Sequence, residues 1–133
     1  VLDTNVVSEA LRTTPSVKVM EWMRSQPMEA LFTTTITEGE LFYGVALLEA
    51  GRRRDALEAA IMRVLEERFV GRILPFDSAA AREFADITAG RRRAGRPMSE
   101  ADARIAAVAR GVNRDAQHQG LHRLRVGLVD PWR

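Results

Sequence analysis

Short apolar runs rich in β-branched and aromatic residues alternate along this chain with longer stretches of helical period, and that alternation constrains the fold most. Val1-Leu2 runs straight into Asp3-Thr4-Asn5 and reads as the end of a buried strand. Residues 31–34, 72–76 and 126–129 read as further short strands. Between them apolar side chains recur at three- and four-residue spacing. Ser16–Ser25 carries Val17, Met20 and Met23 on one stripe, and Arg54–Phe69 turns Leu57, Ile61, Val64 and Leu65 inward. Thr37, with Glu40 three residues on, has the pattern of a capping box opening a helix that runs to about Glu49 and stops at Gly51. Asp77 caps a helix over Ala79–Arg93, Gly95-Arg96-Pro97 breaks it, and Ser99 caps the next one over Glu100–Arg110, with Asp102 at the capping-box position. Strands separated by helices are joined by crossovers, which makes them parallel. The expected class is therefore α/β with a mainly parallel central sheet. Gly111–Arg125 is the exception: it is polar, without clear period, and stands where another buried strand is expected.

At 133 residues the chain fits one domain over 1–133 and is long enough to bury a core. It contains no cysteine, which excludes disulfides and thiolate metal sites and suits a reducing cytoplasm. Without a long apolar run or a basic-then-apolar leader, the expectation is a cytoplasmic protein with no membrane partner. Charge is unevenly spread: residues 1–66 carry 7 basic and 10 acidic side chains, residues 67–133 carry 13 and 8. The basic half concentrates Arg91, Arg92, Arg93 and Arg96. Arginine forks match phosphate oxygens, but on charge alone a solvated helix face is the better reading.

Three acids carry the candidate chemistry. Asp3 ends an apolar strand, and in open α/β sheets ligands gather at the carboxyl ends of strands. A carboxylate there suits a hard divalent cation, and it equally suits capping the next helix. Glu40 shares a stripe with Gly44 and Leu47, and Asp102 shares one with Ile105 and Ala109. An acid on such a stripe is costly to bury unless paired or bound to a cation. Glu38 aligns equally well with Leu41, Phe42 and Val45, so periodicity does not choose between Glu38 and Glu40. His118 and His122 have zinc-ligand spacing, yet no glutamate follows His118 and both read as exposed. Walker, dinucleotide and nucleophile-elbow patterns are absent.

Four blocks in order resemble the PIN-domain family, in its bacterial VapC/FitB-like toxin branch. They are Leu2-Asp3-Thr4-Asn5-Val6-Val7-Ser8-Glu9; Thr35-Ile36-Thr37-Glu38-Gly39-Glu40-Leu41 with Gly44-Val45-Ala46-Leu47-Leu48; Gly71-Arg72-Ile73-Leu74-Pro75-Phe76-Asp77; and Ser99-Glu100-Ala101-Asp102-Ala103-Arg104-Ile105-Ala106-Ala107. Val129-Asp130-Pro131-Trp132 also fits. The resemblance implies a PIN-like α/β/α sandwich and hydrolysis of RNA phosphodiesters with magnesium or manganese. Matched residue by residue, it places Asp3, Glu40 and Asp102 as catalytic metal-site acids and so favours Glu40 over Glu38. Thr4 and Asn5 would support the site from its edge. A homodimer and a small DNA-binding antitoxin, whose tail enters the active site, are the implied partners.

The resemblance fails over 111–125. There the family has a strand ending in Thr-Arg-Asn/Asp, with another acid three residues on and then Phe, which supplies the remaining metal-site acid. Codons permitted for residues 114–125, read from each second nucleotide, include A-T-R-N-T-K-D-F-T-G-C-G, which is that motif running directly into Val126. The hypothesis is a frameshift relative to the family, with Gln117 and Gly120 standing where the shifted reading has Asn and Asp; gene codons that forbid the shifted string would sink it. As written, the stretch leaves Asp115, after Asn113-Arg114, as the weak candidate for the missing acid.

Overall fold

The computed structural model describes residues 1–119 and Gly127. Its helices are α1 (Thr4–Ala10), α2 (Val17–Ser25), α3 (Thr35–Ala46), α4 (Arg52–Arg68), α5 (Ser78–Arg93) and α6 (Glu100–His118). Two short strands, β1 (Thr33–Thr34) and β2 (Ile73–Leu74), pair in parallel with Thr33 opposite Ile73 and Thr34 opposite Leu74. Val1-Leu2 lies beside them: the Leu2 N–H donates to the Phe32 carbonyl (2.7 Å), and the Val1 nitrogen to the Gly127 carbonyl (2.5 Å). Both residues are buried, as read, although they form no regular strand. The strand expected at 126–129 lies outside the described residues except for Gly127.

The layers follow from the two-residue alternation of extended chain. Leu2, Leu31 and Ile73 join the core formed with Val6, Val7, Leu41, Ile61 and Phe69, so α1–α4 lie on one face. Their neighbours Val1, Phe32 and Leu74 pack with Ile105 and Ala109 of α6 on the other. A third cluster joins Ile87 of α5 to Ala103 and Ala107 of α6, with Phe76 and Phe84 against it. This is the three-layer α/β/α order expected. Each fully buried large side chain, such as Phe69 or Ile61, contributes about 1.5–3 kcal/mol.

Local chemistry sets the helix starts. The Asp77 carboxylate accepts from the Ala80 N–H (2.9 Å) and the Ser99 hydroxyl from the Asp102 N–H (3.1 Å), as read from the sequence. The cap of α3 is Thr34, not Thr37: the Thr34 hydroxyl accepts from the Thr37 N–H (3.2 Å), and the helix begins one turn early. Thr34 is available because β1 ends there, a tertiary fact that a run of threonines conceals. The α6 helix corrects a second expectation. It does not end at Arg110 but continues through Gly111–His118, because α5 lies against it. A Cβ on Gly111 would stand 3.0 Å from the Ala80 nitrogen, so glycine permits the close approach, and Arg114 reaches across to Glu83 of α5 (2.7 Å). His118 is exposed on this helix, its Nδ1 2.8 Å from the Arg114 carbonyl; His122 lies outside the described residues. Among the described residues no helix is long and apolar enough to cross a membrane.

The loop between α1 and α2 is held by Glu9. One carboxylate oxygen accepts from the Ser16 N–H (2.8 Å) and the other from the Arg12 guanidinium (3.0 Å). The Ser16 hydrogen bond first, and Arg12 second, hold the Glu9 carboxyl below its ordinary value. A depressed folded-state value means the unfolded chain binds the extra proton, so this stabilisation is present above the usual glutamate range and disappears as pH falls through the depressed value. Melting temperatures of wild type and Glu9→Gln should therefore differ at neutral pH, with wild type higher. The gap should narrow as pH falls through the ordinary glutamate range and close only once the folded-state Glu9 is itself protonated; a gap independent of pH would show that the charge contributes nothing.

Candidate active site

The site grows from the end of the first extended segment. Asp3 is the N-cap of α1: its Oδ1 accepts from the Val6 N–H (3.0 Å). The capping reading is thus correct, but it occupies only one oxygen. Oδ2 takes no hydrogen bond among the described residues, and the side chain is half-buried. Thr4, the next residue, has its hydroxyl 2.7 Å from Glu40 Oε1 and 3.2 Å from the Thr37 hydroxyl. An ionised carboxylate only accepts and a hydroxyl has one proton. Thr4 therefore donates to Glu40 and accepts from Thr37, whose side chain is fully buried. A buried threonine on α3 orients a threonine on α1, which orients a glutamate one turn further along α3.

This network separates Glu40 from Glu38. Glu40 does not close a capping box; its carboxylate faces α1 and the segment that carries Asp3. Both Glu40 and Asp102 are exposed, so neither bears the burial cost that an acid on an apolar stripe would carry. Asp102 sits in the first turn of α6, where Ile105 and Ala109, one and two turns on, pack against Val1. Asn5 is exposed and lines a shallow hollow with Ser8, Glu9 and Arg12. Asp115 is on α6 thirteen residues beyond Asp102, about 20 Å along the helix, so the two are not brought together. Thr37 is the contributor that sequence reasoning assigned to another task; its signal was a hydroxyl at the position where a helix turns inward.

Glu40 also lines a groove of about 920 Å³ between α1, α3 and α4, together with Arg12, Gly44 and Arg53. The candidate donors are all hard oxygen: the Asp3 carboxylate, the Glu40 carboxylate held by Thr4, and Asp102 in the first turn of α6. Among the described residues no three His, Asp or Glu side chains converge as a ready metal cage. The set nonetheless fits magnesium in kind, because that ion is commonly held by one or two carboxylates, with waters and substrate phosphate completing its shell.

A three-layer α/β/α chain with a parallel sheet and an acid at the end of its first extended segment belongs to the open α/β class, in which ligands gather at the carboxyl ends of strands. The comparison narrows it. The PIN domain family model matches residues 1–116, and the chain belongs to that family. It is 41% identical over 108 residues to the plasmid stability protein StbB of Pseudomonas syringae pv. tomato, covering 81% of this chain and 78% of that one. It is 38% identical over 109 residues to the VapC ribonuclease Y4jK of Sinorhizobium fredii, covering 82% and 78%. Among solved structures it resembles a chain of FitAB bound to an IR36 DNA fragment, with a TM-score of 0.81, 34% identity, and 99% of this chain and 94% of that chain covered.

Proposed function

We propose that this chain is the toxin of a toxin–antitoxin pair and a magnesium- or manganese-dependent endoribonuclease. The observation that carries the reading is the hydrogen-bonded link from Thr4, beside Asp3, to Glu40, set in a PIN-family chain. Asp3, Glu40 and Asp102 would hold the metal, which when bound supplies a polarised water and neutralises charge on the attacked phosphate. Thr4 fixes the Glu40 carboxylate, Thr37 fixes Thr4, and the α1 cap fixes Asp3, so the ligands are oriented before RNA arrives. Asn5 supports the edge. The likeness to a StbB plasmid stability protein, a VapC ribonuclease and a FitAB assembly supports an antitoxin partner and RNA as substrate; a homodimer completes the reading.

One observation favours a second reading. The described residues hold no three-ligand cage, and α6 continues as helix where the family places its next strand. On that reading the chain is a PIN scaffold that binds an antitoxin or a like subunit without cutting RNA. Incubating the purified chain with a mixed RNA pool, with and without magnesium or manganese, decides between them. Cleavage abolished by EDTA and by Asp3→Ala supports the nuclease. A folded chain that cuts nothing in either metal is the scaffold.

A further inference from the structure

The arginine cluster of the basic half is not used by the acid site, and the structure gives it a place. Arg91 and Arg92, in the last turn of α5, line a cavity of about 580 Å³ between the end of α5 and the first turn of α6. Its other walls include Phe84, Thr88, Pro97, Met98 and Glu100. That volume lies within the roughly 300–1,000 Å³ typical of small-ligand pockets, enough for one nucleotide. The lining carries two arginines against one acid. Glu100, its single acid, is paired with Arg104 (2.5 Å), whose guanidinium also stands 5.8 Å from the Phe84 ring centre. Arg91 and Arg92 make no ion pair among the described residues. Cations suit a helix C-terminus, which accounts for arginines at the end of α5 but not for two of them facing a cavity with an aromatic and a thioether wall. Glu100 and Ala103 line the cavity from the same first turn of α6 that carries Asp102, although Asp102 itself is not part of the lining.

We infer that this cavity is a nucleotide subsite for single-stranded RNA, with a base against Phe84 and Met98 and a backbone phosphate on Arg91 and Arg92. The inference rests on the nuclease reading for its substrate class. Aromatic and apolar walls accept any base, and arginine contacts to phosphate make binding steeply salt-dependent. The test is fluorescence anisotropy with a short labelled oligouridylate in EDTA, across a salt series, so that no metal or cleavage is involved. Arg91→Gln with Arg92→Gln should flatten the slope of log affinity against log salt by about 1.4, at about 0.7 per lost single-strand contact. It should also weaken binding about tenfold relative to Arg52→Gln with Arg63→Gln, an equal charge change on exposed α4 positions. Thr88→Glu, at an exposed position on the cavity wall, should weaken binding with no loss of melting temperature. If the two arginine doubles bind alike, or if wild type does not bind, the subsite is wrong. Cleavage by wild type alongside equal doubles would overturn the subsite and leave the nuclease standing. Arginine-dependent binding by a chain that never cuts would do the reverse.

Discussion

Asp3→Asn should leave the protein as stable as wild type and reduce metal-dependent RNA cleavage about a thousandfold or more. The two halves of that result come from the two oxygens of one carboxylate. Oδ1 caps α1 through the Val6 N–H, and asparagine caps as well as aspartate does. What asparagine lacks is the charge that a hard cation requires. Losing a ligand of that kind removes several kcal/mol of transition-state stabilisation, and about 4 kcal/mol is a thousandfold in rate. Asp3→Ala, in contrast, should lose activity and about 1 kcal/mol of stability together. Thermal melts and initial cleavage rates on the same preparations separate the roles. An Asp3→Asn protein that still cuts RNA at a tenth of the wild-type rate would remove Asp3 from the metal site and leave it as a cap.

The second large effect concerns stability alone. Glu83 is buried on α5 at 6% side-chain exposure, and its Oε1 lies 2.7 Å from an Arg114 guanidinium nitrogen without accepting a hydrogen bond. The pair is held by charge and not by directed bonding. Removing the arginine leaves a carboxylate buried and uncompensated, which costs about 3–5 kcal/mol for a fully buried pair. Arg114 is 53% exposed, so solvent reduces this, and Arg114→Ala is expected to cost about 2 kcal/mol, a melting shift of about 8 °C for a chain of this length. Glu83→Met should be neutral or stabilising, since a well-packed apolar side chain avoids the desolvation of the ion. If both substitutions destabilise equally, the pair contributes directed bonding that its geometry does not reveal.

Much of this architecture was legible because its signals are local. Asp77 and Ser99 cap the helices they were expected to cap, since an acid or hydroxyl before a periodic run satisfies N–H groups within three residues. What stayed hidden was settled by distant parts of the chain. The string Thr33-Thr34-Thr35-Ile36-Thr37 offers several hydroxyls to one helix start, and only pairing of β1 with β2 shows that Thr34 takes the role and frees Thr37 to hold Thr4. Gly111, Asn113 and Asp115 are weak helix formers, so the sequence suggested a stop; contact with α5 through Gly111 and Arg114 overrides that preference. Glu38 and Glu40 had equal claims by periodicity, and a hydrogen bond from a residue 36 positions away distinguishes them. Asp102 was legible as a capping-box residue, but its exposure was not, because a stripe of three positions cannot tell a helix's first turn from its middle.

Thr4 and the α1 cap each engage one oxygen of a carboxylate, and this bears on which ions the proposed site would prefer. Among the described residues Glu40 Oε2 and Asp3 Oδ2 take no hydrogen bond, and each stands beside an oxygen that already accepts one. Larger ions such as calcium take six to eight oxygens and readily draw both from one carboxylate. Magnesium demands a near-octahedral shell and accepts single oxygens with water filling the rest. If Asp3 and Glu40 hold the metal as proposed, the freer oxygen of each is the one without a hydrogen bond, which favours single-oxygen contacts of the magnesium kind over bidentate chelation.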